Sequence, residues 1–191
     1  MKQLYQVRHM QQHTLPYTVT EFIERWHYSK SARSLKQKHI FLLLDMSGSL
    51  TGVAVYGQPI GINSSSTALE LRRFCLIDDT PRNTESFFLA KTIQWLKKNQ
   101  REYDHILTFA DPNQGHLGTI YKAANFRYDG LEKNNPRIVK FKDGRVAHLR
   151  QYYDKKDGTY SEQAIRLQEA VSRGDAMIVP QERKHRFIYE L

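Results

Sequence analysis

The stretch Thr108–Phe126, TFADPNQGHLGTIYKAANF, sets a carboxylate (Asp111), an amide (Asn113), an imidazole (His116) and a phenol (Tyr121) in close succession. A phenol can give or take a proton at a reacting atom. A carboxylate at a strand end can accept a hydrogen bond from an amine or orient a base. Asn113 and His116 can contact a donor molecule or a base. Each has a plainer reading: Asp-Pro starts turns readily, and a tyrosine on a short helix can simply pack beneath a sheet. A plain strand-to-helix connection needs only two to six residues. The polar, glycine-spaced run Asp111–Gly118 exceeds that, so the loop has room to hold something.

A second group lies in ELRRFCLIDDTPRNTES, Glu70–Ser86. Arg72 and Arg73 fall on a strand that should be half buried, and an inward-facing arginine needs an anionic partner. Strand period alone does not choose between the two. Beyond the strand, Arg82, Asn83 and Ser86 cluster at a helix start, where free N–H groups and the positive dipole end attract an anion such as phosphate. Ordinary capping by Asp79, Thr80 or Asn83 is the competing reading. Cys75, mid-strand among apolar neighbours, reads as core. His27, just after an amphipathic helix, reads by itself as a surface or capping residue. With one cysteine there is no compact cysteine–histidine metal motif, which leaves open a site assembled from distant residues such as His27 and Asp111.

Periodicity predicts the elements that must hold these groups. Leu4–His9 reads as a first strand. Glu21–His27 reads as a helix with Phe22, Ile23 and Trp26 on one face, capped by Thr18 or Thr20. His39–Leu44 and Leu50–Tyr56 flank Asp45–Ser49 as a hairpin, and Ala68–Ile77 is another strand. A helix begins near Pro81 and Asn83, carries Phe87, Ala90, Ile93, Gln94 and Lys97 at helical spacing, and ends near Lys97 and Lys98. Strand Ile106–Ala110 and helix Thr119–Asn125 follow. Then come Arg127–Gly130, a hairpin around Lys142–Gly144, a helix Ser161–Ser172 capped by Ser161 and stopped by Gly174, and strand-like Ala176–Val179 and Arg186–Leu191. The order β-α-β-β-β-α-β-α-β predicts a mixed α/β sheet packed between helices. Ligands in such folds bind where neighbouring strands splay.

Bulk properties set the context. At 191 residues with 40% apolar content the chain should form a single globular domain over residues 1–191. We divide it into a core of about 1–130 and a basic C-terminal extension of about 131–191. The longest apolar run, Ile40–Leu44, is too short to span a bilayer. A single cysteine and an N-terminus without a signal-type hydrophobic core point to the cytoplasm. A net charge of +9 and a pI of 9.6 favour a polyanionic partner, nucleic acid foremost.

GTIYKAANF resembles the helix of the GNAT acetyltransferase superfamily that ends in a Tyr-x-x-x-Gly-Phe-like phrase, here Tyr121–Phe126. That resemblance implies a tyrosine near the thiol of coenzyme A, acting as general acid. The superfamily's pyrophosphate phrase, Gln or Arg before a Gly-x-Gly/Ala pattern, is absent; PRNTES, Pro81–Ser86, stands in its place. Longer phrases resemble the Mom family of phage DNA-modification proteins: WHYS (Trp26–Ser29), GVAVYGQPIG (Gly52–Gly61), ELRRFCLIDDTPRNTESFFLAKTIQWLKK (Glu70–Lys98), FADPNQGHLGTIYKAANF (Phe109–Phe126) and the terminal KHRFIYEL. The likeness is close over roughly residues 20–130 and looser beyond.

Membership would imply a GNAT-like α/β fold, with a mixed, mostly antiparallel central sheet flanked by helices and a C-terminal α/β extension. It would also imply conversion of adenine in DNA to N6-carbamoylmethyladenine, which shields the DNA from restriction enzymes. Carried over by position, His27, Arg73, Asp111 and Tyr121 would be catalytic; the family phrase thereby favours Arg73 over Arg72. Arg82, Asn83, Ser86, Asn113 and His116 would contact the donor. The partners implied are double-stranded DNA and a small-molecule donor, with no membrane.

The bond itself limits the chemistry. Attack of the adenine amine on an acetyl thioester joins nitrogen to a carbonyl carbon, whereas a carbamoylmethyl group is joined through its CH₂. Ordinary acyl transfer cannot make that bond. The donor is therefore open between acetyl-CoA used in another way, a related molecule, and a methyl carbon activated through a metal ion such as iron. A base inside a duplex must also be extruded before its exocyclic amine can react, usually onto aromatic side chains. Tyr28, Tyr56, Tyr152 and Tyr153 are candidates by type. The basic stretches at 133–150 and 183–186 would grip phosphate backbone. Two other readings compete: a CoA-dependent acetyltransferase acting on a protein, a small molecule or tRNA, and a basic DNA-binding accessory protein.

Overall fold

Alternating and continuous apolar runs in the first half of the chain resolve into strands. The computed structural model describes residues 4–11, 14–32, 37–59 and 65–191. In chain order these give β1 (Tyr5–Met10), α1 (Tyr17–Trp26), β2 (Gln37–Asp45), β3 (Leu50–Gly57), β4 (Ala68–Leu76), α2 (Thr84–Asn99), β5 (His105–Ala110), α3 (Thr119–Ala123) and β6 (Arg127–Leu131). Then follow β7 (Arg137–Phe141), β8 (Val146–His148), α4 (Leu149–Tyr152), β9 (Lys155–Lys156), β10 (Thr159–Tyr160), α5 (Glu162–Ser172), β11 (Ala176–Pro180) and β12 (His185–Glu190). The chain divides into two compact units, residues 1–110, 116–130 and 185–191, and residues 111–115 and 131–184.

The first unit is built on a seven-stranded sheet ordered β1-β2-β3-β4-β5-β12-β6. Strands β1 to β4 pair antiparallel, β4 and β5 parallel, and β5 and β12 antiparallel. Nearly every residue of β3 is buried, which fits its continuous apolar sequence and a sheet covered on both faces. On one face α2 inserts Phe88, Leu89, Ile93 and Leu96 among Phe41, Leu43, Ala54, Tyr56 and Leu71. On the other, α1 sets Val19, Phe22 and Ile23 against Ile40, Val53, Val55 and Cys75. Full burial of each such large side chain contributes about 1.5–3 kcal/mol.

One irregularity matters for function. The parallel pairing of β4 with β5 runs only from Ala68↔His105 to Glu70↔Leu107, and the two strands part beyond that register. Their carboxyl ends therefore diverge, leaving space between the ends that lead into α2 and α3.

The second unit holds a three-stranded sheet, β11-β7-β8, and the two-stranded hairpin β9–β10. Val139, Leu167, Ala170 and Ala176 form its core, with α5 supplying two of the four. Ser161 caps α5 by accepting from the Ala164 amide at 3.2 Å, as its position predicts.

Several expectations shift. Helix α1 begins at Tyr17 with Pro16 at the cap position, so neither Thr18 nor Thr20 caps it; burying Val19 requires the earlier start. Helix α3 ends at Ala123, because Asn125 turns to φ +65°. The hairpin around Lys142–Gly144 forms as β7–β8, whereas α4 and β9–β10 carry no periodic signal and were not foreseen. The terminal strand does not stay with the extension: β12 returns to the main sheet and buries Phe187 completely.

Candidate active site

The parting of β4 and β5 is bridged by hydroxyls. Tyr121, on α3, hydrogen-bonds Thr108 of β5, and the Thr108 hydroxyl donates in turn to the Leu71 carbonyl of β4 at 3.4 Å. The Tyr121 ring rests on Phe126 and Phe187, each 5.6 Å away between centroids. Burial, chiefly, pushes the phenol up to about 12. At neutral pH it is therefore a proton donor and not a base.

Two residues with left-handed backbone shape this region where glycine would be usual. Asn125 (φ +65°) precedes Phe126, and Asn83 (φ +70°) precedes α2. Asparagine tolerates this conformation better than other residues with a Cβ. Asn83 makes no side-chain cap on α2, and Thr84 turns its hydroxyl back to the Pro81 carbonyl. The start of α2 borders a cleft of about 480 Å³ lined by Leu76–Asp78, Thr80–Ser86, Thr119, Ile120 and Ala123. Arg82, Asn83 and Ser86 all line it. Glu85, also on its wall, lies within electrostatic reach of Tyr121.

Sequence period left Arg72 and Arg73 as alternatives, one facing in. A β-bulge corrects this. Val55 pairs with Arg73 and Tyr56 with Leu71, so Arg72 is the extra residue and both side chains turn inward. Arg72 faces Glu70 at 4.0 Å and is only 6% exposed. Arg73 donates from Nε to the Ser31 carbonyl at 3.1 Å and from Nη1 to the Arg72 carbonyl at 2.7 Å. Burial lowers its pKa, yet a guanidinium stays charged. Both contacts are neutral carbonyls, so this cation remains suited to an anionic or electron-rich ligand.

His27 is buried. Its Nδ1 accepts from the Ser29 amide at 3.1 Å and lies 2.8 Å from the Ser29 hydroxyl, so the neutral ring carries its proton on Nε2. Against it lies Tyr28, centroids 4.3 Å apart, and Tyr28 meets His116 at 5.2 Å. Tyr28 also lies within electrostatic reach of Arg73 and Tyr121. The first unit thus brings together His27, Arg73, His116 and Tyr121, with Tyr28 among them.

Asp111 and Asn113 belong to the second unit. Oδ1 of Asp111 accepts from the amide and side chain of Asn113 at 3.0 and 2.9 Å, capping a 3₁₀ turn Pro112–Gln114; Oδ2 faces Lys184 at 3.4 Å. The side-chain amide of Asn113 also engages Glu182, donating from Nδ2 to its carbonyl at 2.8 Å and accepting at Oδ1 from its N–H at 3.1 Å. The turn chemistry read from Asp-Pro is therefore present. Of the aromatic candidates, Tyr56 is corrected: it is fully buried and its hydroxyl sits 2.6 Å from Thr92, leaving no face for a base. Tyr152 packs in the second unit's core, and Tyr153 is exposed. Sequence reasoning missed Thr108, Ser29 and the Ser31 carbonyl, whose roles depend on strand pairing and loop path.

Among the described residues no three His, Cys, Asp or Glu side chains converge as a metal-binding group, and no helix is long and apolar enough to cross a membrane.

The splayed strands, the bulged β4 and the helix start between them define the fold of the GNAT acetyltransferases. An IAA acetyltransferase from Bacillus cereus matches with a TM-score of 0.56 at 10% identity, over 98% of this chain and 99% of that one. A Bacillus subtilis acetyltransferase in complex with CoA gives 0.55 at 10% identity, over 97% and 99%. A GNAT family acetyltransferase from Elizabethkingia anophelis with acetyl-CoA bound gives 0.54 at 10% identity, over 98% of each. The chain belongs to the Mom protein family, whose model matches residues 12–191. It is 28% identical over 121 residues to the methylcarbamoylase mom of Escherichia phage Mu, covering 59% of this chain and 49% of that protein. The chain spans about half the length of this curated relative.

Proposed function

We propose that this chain is a transferase that modifies adenine in double-stranded DNA, installing the N6-carbamoylmethyl group and so protecting the DNA from restriction. The observation that carries this reading is the meeting of Tyr28 with His27 and His116, with Arg73 and Tyr121 within electrostatic reach of Tyr28, in a Mom-family chain. The start of α2, with Arg82, Asn83 and Ser86 on the cleft it borders, suits a phosphate-bearing small-molecule donor. Such a donor, when bound, supplies the carbon to be transferred. Tyr121 gives a proton to a departing atom and, held near 12, does not take one from the adenine amine at neutral pH. His27 holds Tyr28. Asp111, in the second unit, holds Oδ1 in the turn and sets Oδ2 against Lys184. Arg137, Lys140, Lys142 and Arg150, all exposed, contact DNA phosphates.

The test is protection. Plasmid from cells expressing the protein should resist restriction enzymes whose sites contain adenine and be cut normally at sites without it. Equal cutting at both, with the protein soluble, would contradict the reading. The second reading, acetyl transfer from acetyl-CoA to a protein, small molecule or tRNA, is favoured by the fold and the α2 cleft. Titration calorimetry with acetyl-CoA, joined to a search for acetylated products, separates the two.

A further inference from the structure

Outside the two cores, the first unit sets aside one aromatic side chain that packing does not explain. Tyr28 follows α1, is 42% exposed, and belongs to neither hydrophobic cluster of its unit. It is nonetheless held in place. His27, fixed by Ser29 at Nδ1, lies against it at 4.3 Å with 32° between the planes. His116, from the loop before α3, reaches it at 5.2 Å and 48°. Two aromatic rings from separate parts of the chain thus meet at a solvent-facing spot, within electrostatic reach of the half-buried Arg73.

We propose that Tyr28, backed by His27 and flanked by His116, is the stacking surface that holds the extruded adenine. The inference rests on the adenine-modifying reading given above. The chemistry matches in two respects. A purine offers a flat π face, and stacking a base on an aromatic side chain is sequence-tolerant. Its ring nitrogens are acceptors, which a neighbouring arginine can hydrogen-bond. The ring is also pre-positioned: His27 cannot swing while Ser29 holds it, so little side-chain freedom is lost when a base arrives.

The experiment measures adenine modification of plasmid DNA by nucleoside mass spectrometry, using purified protein and a protein-free cell extract that supplies the donor. Wild type is compared with Tyr28→Phe, Tyr28→Trp and Tyr28→Leu. Leucine keeps apolar bulk at an exposed site and removes the π face. We expect Phe and Trp to stay within about threefold of wild type, and Leu to lose about 10–100-fold in kcat/KM, from a stacking term of about 1–3 kcal/mol per base. We also expect the Leu variant to recover part of that loss on DNA whose adenines are unpaired, and to keep the wild-type salt dependence of DNA binding. A Leu variant as active as wild type overturns the stacking surface and leaves the adenine-modifying reading standing. Equal loss in all three variants also overturns it, because a structural role would not distinguish ring from aliphatic. A wild-type protein that modifies no adenine overturns both.

Discussion

Two side chains carry separable predictions. Tyr121→Phe removes the proton at the phenol and keeps the ring on Phe126 and Phe187. Modification should fall by about a hundredfold or more with the melting temperature nearly unchanged. Because the phenol titrates near 12, wild-type activity should show no alkaline loss attributable to it below about pH 10. Asp111→Asn keeps an acceptor for the Asn113 amide while removing the charge that faces Lys184. It should lower modification by about tenfold or more and cost about 1–2 kcal/mol in stability, since the carboxylate that faces Lys184 is only 13% exposed; thermal melts and product assays on the same sample check both halves. At this scale the sequence was informative about residue types and weaker about their company. Tyr121 and Arg73 stood out through their phrases. The bulge that turns both arginines inward has no period-two signature, and Tyr28 could be named only as one aromatic among several.

The elements hold the site by backbone conformation as much as by packing. Gly118 starts α3 at φ +76°, and a Cβ there would lie 2.3 Å from the buried ring of Phe187. Gly118→Ala combines a left-handed alanine with a collision against a fully buried side chain, and should cost about 3 kcal/mol. That corresponds to a fall of about 6–12 °C in melting temperature; a loss under about 1 kcal/mol in denaturant melts would contradict this placement of β12 beneath α3. The pairing of β1, β2 and α2 makes a second prediction. His9 hydrogen-bonds His39 at 3.1 Å and stacks on Trp95 at 3.6 Å, and burial lowers its pKa from 6.5. The unfolded chain therefore binds the proton more readily than the folded one. The contribution to stability is complete above about pH 6.5 and is lost as pH falls through that value toward the depressed one. Melting temperatures across pH 5–8 should show this decline, and His9→Gln should flatten it. Strands and long helices were legible to within a few residues because each buries a continuous or periodic apolar face. The return of β12 into the main sheet was not, since a strand's own alternation does not specify its neighbour.

For the whole molecule the excess of positive charge becomes an expectation about salt. Arg137, Lys140, Lys142 and Arg150 are exposed on the second unit, whereas Lys184 and Arg186 face Asp111 and Asp129 at 3.4 and 3.2 Å. The stretch at 183–186 is thus less available to phosphate than its composition suggests. Alanine at one of the four exposed positions should weaken DNA binding uniformly across sequences and reduce the salt slope by about 1. Binding that ignores ionic strength would contradict a phosphate grip. The central claim is the reaction itself, and nucleoside mass spectrometry tests it most directly, on DNA from cells expressing the wild-type chain or Tyr121→Phe. The account predicts a new adenosine species bearing the mass of a carbamoylmethyl group in the first sample and its loss in the second. Unmodified adenosine in both, with soluble protein in each, would contradict it.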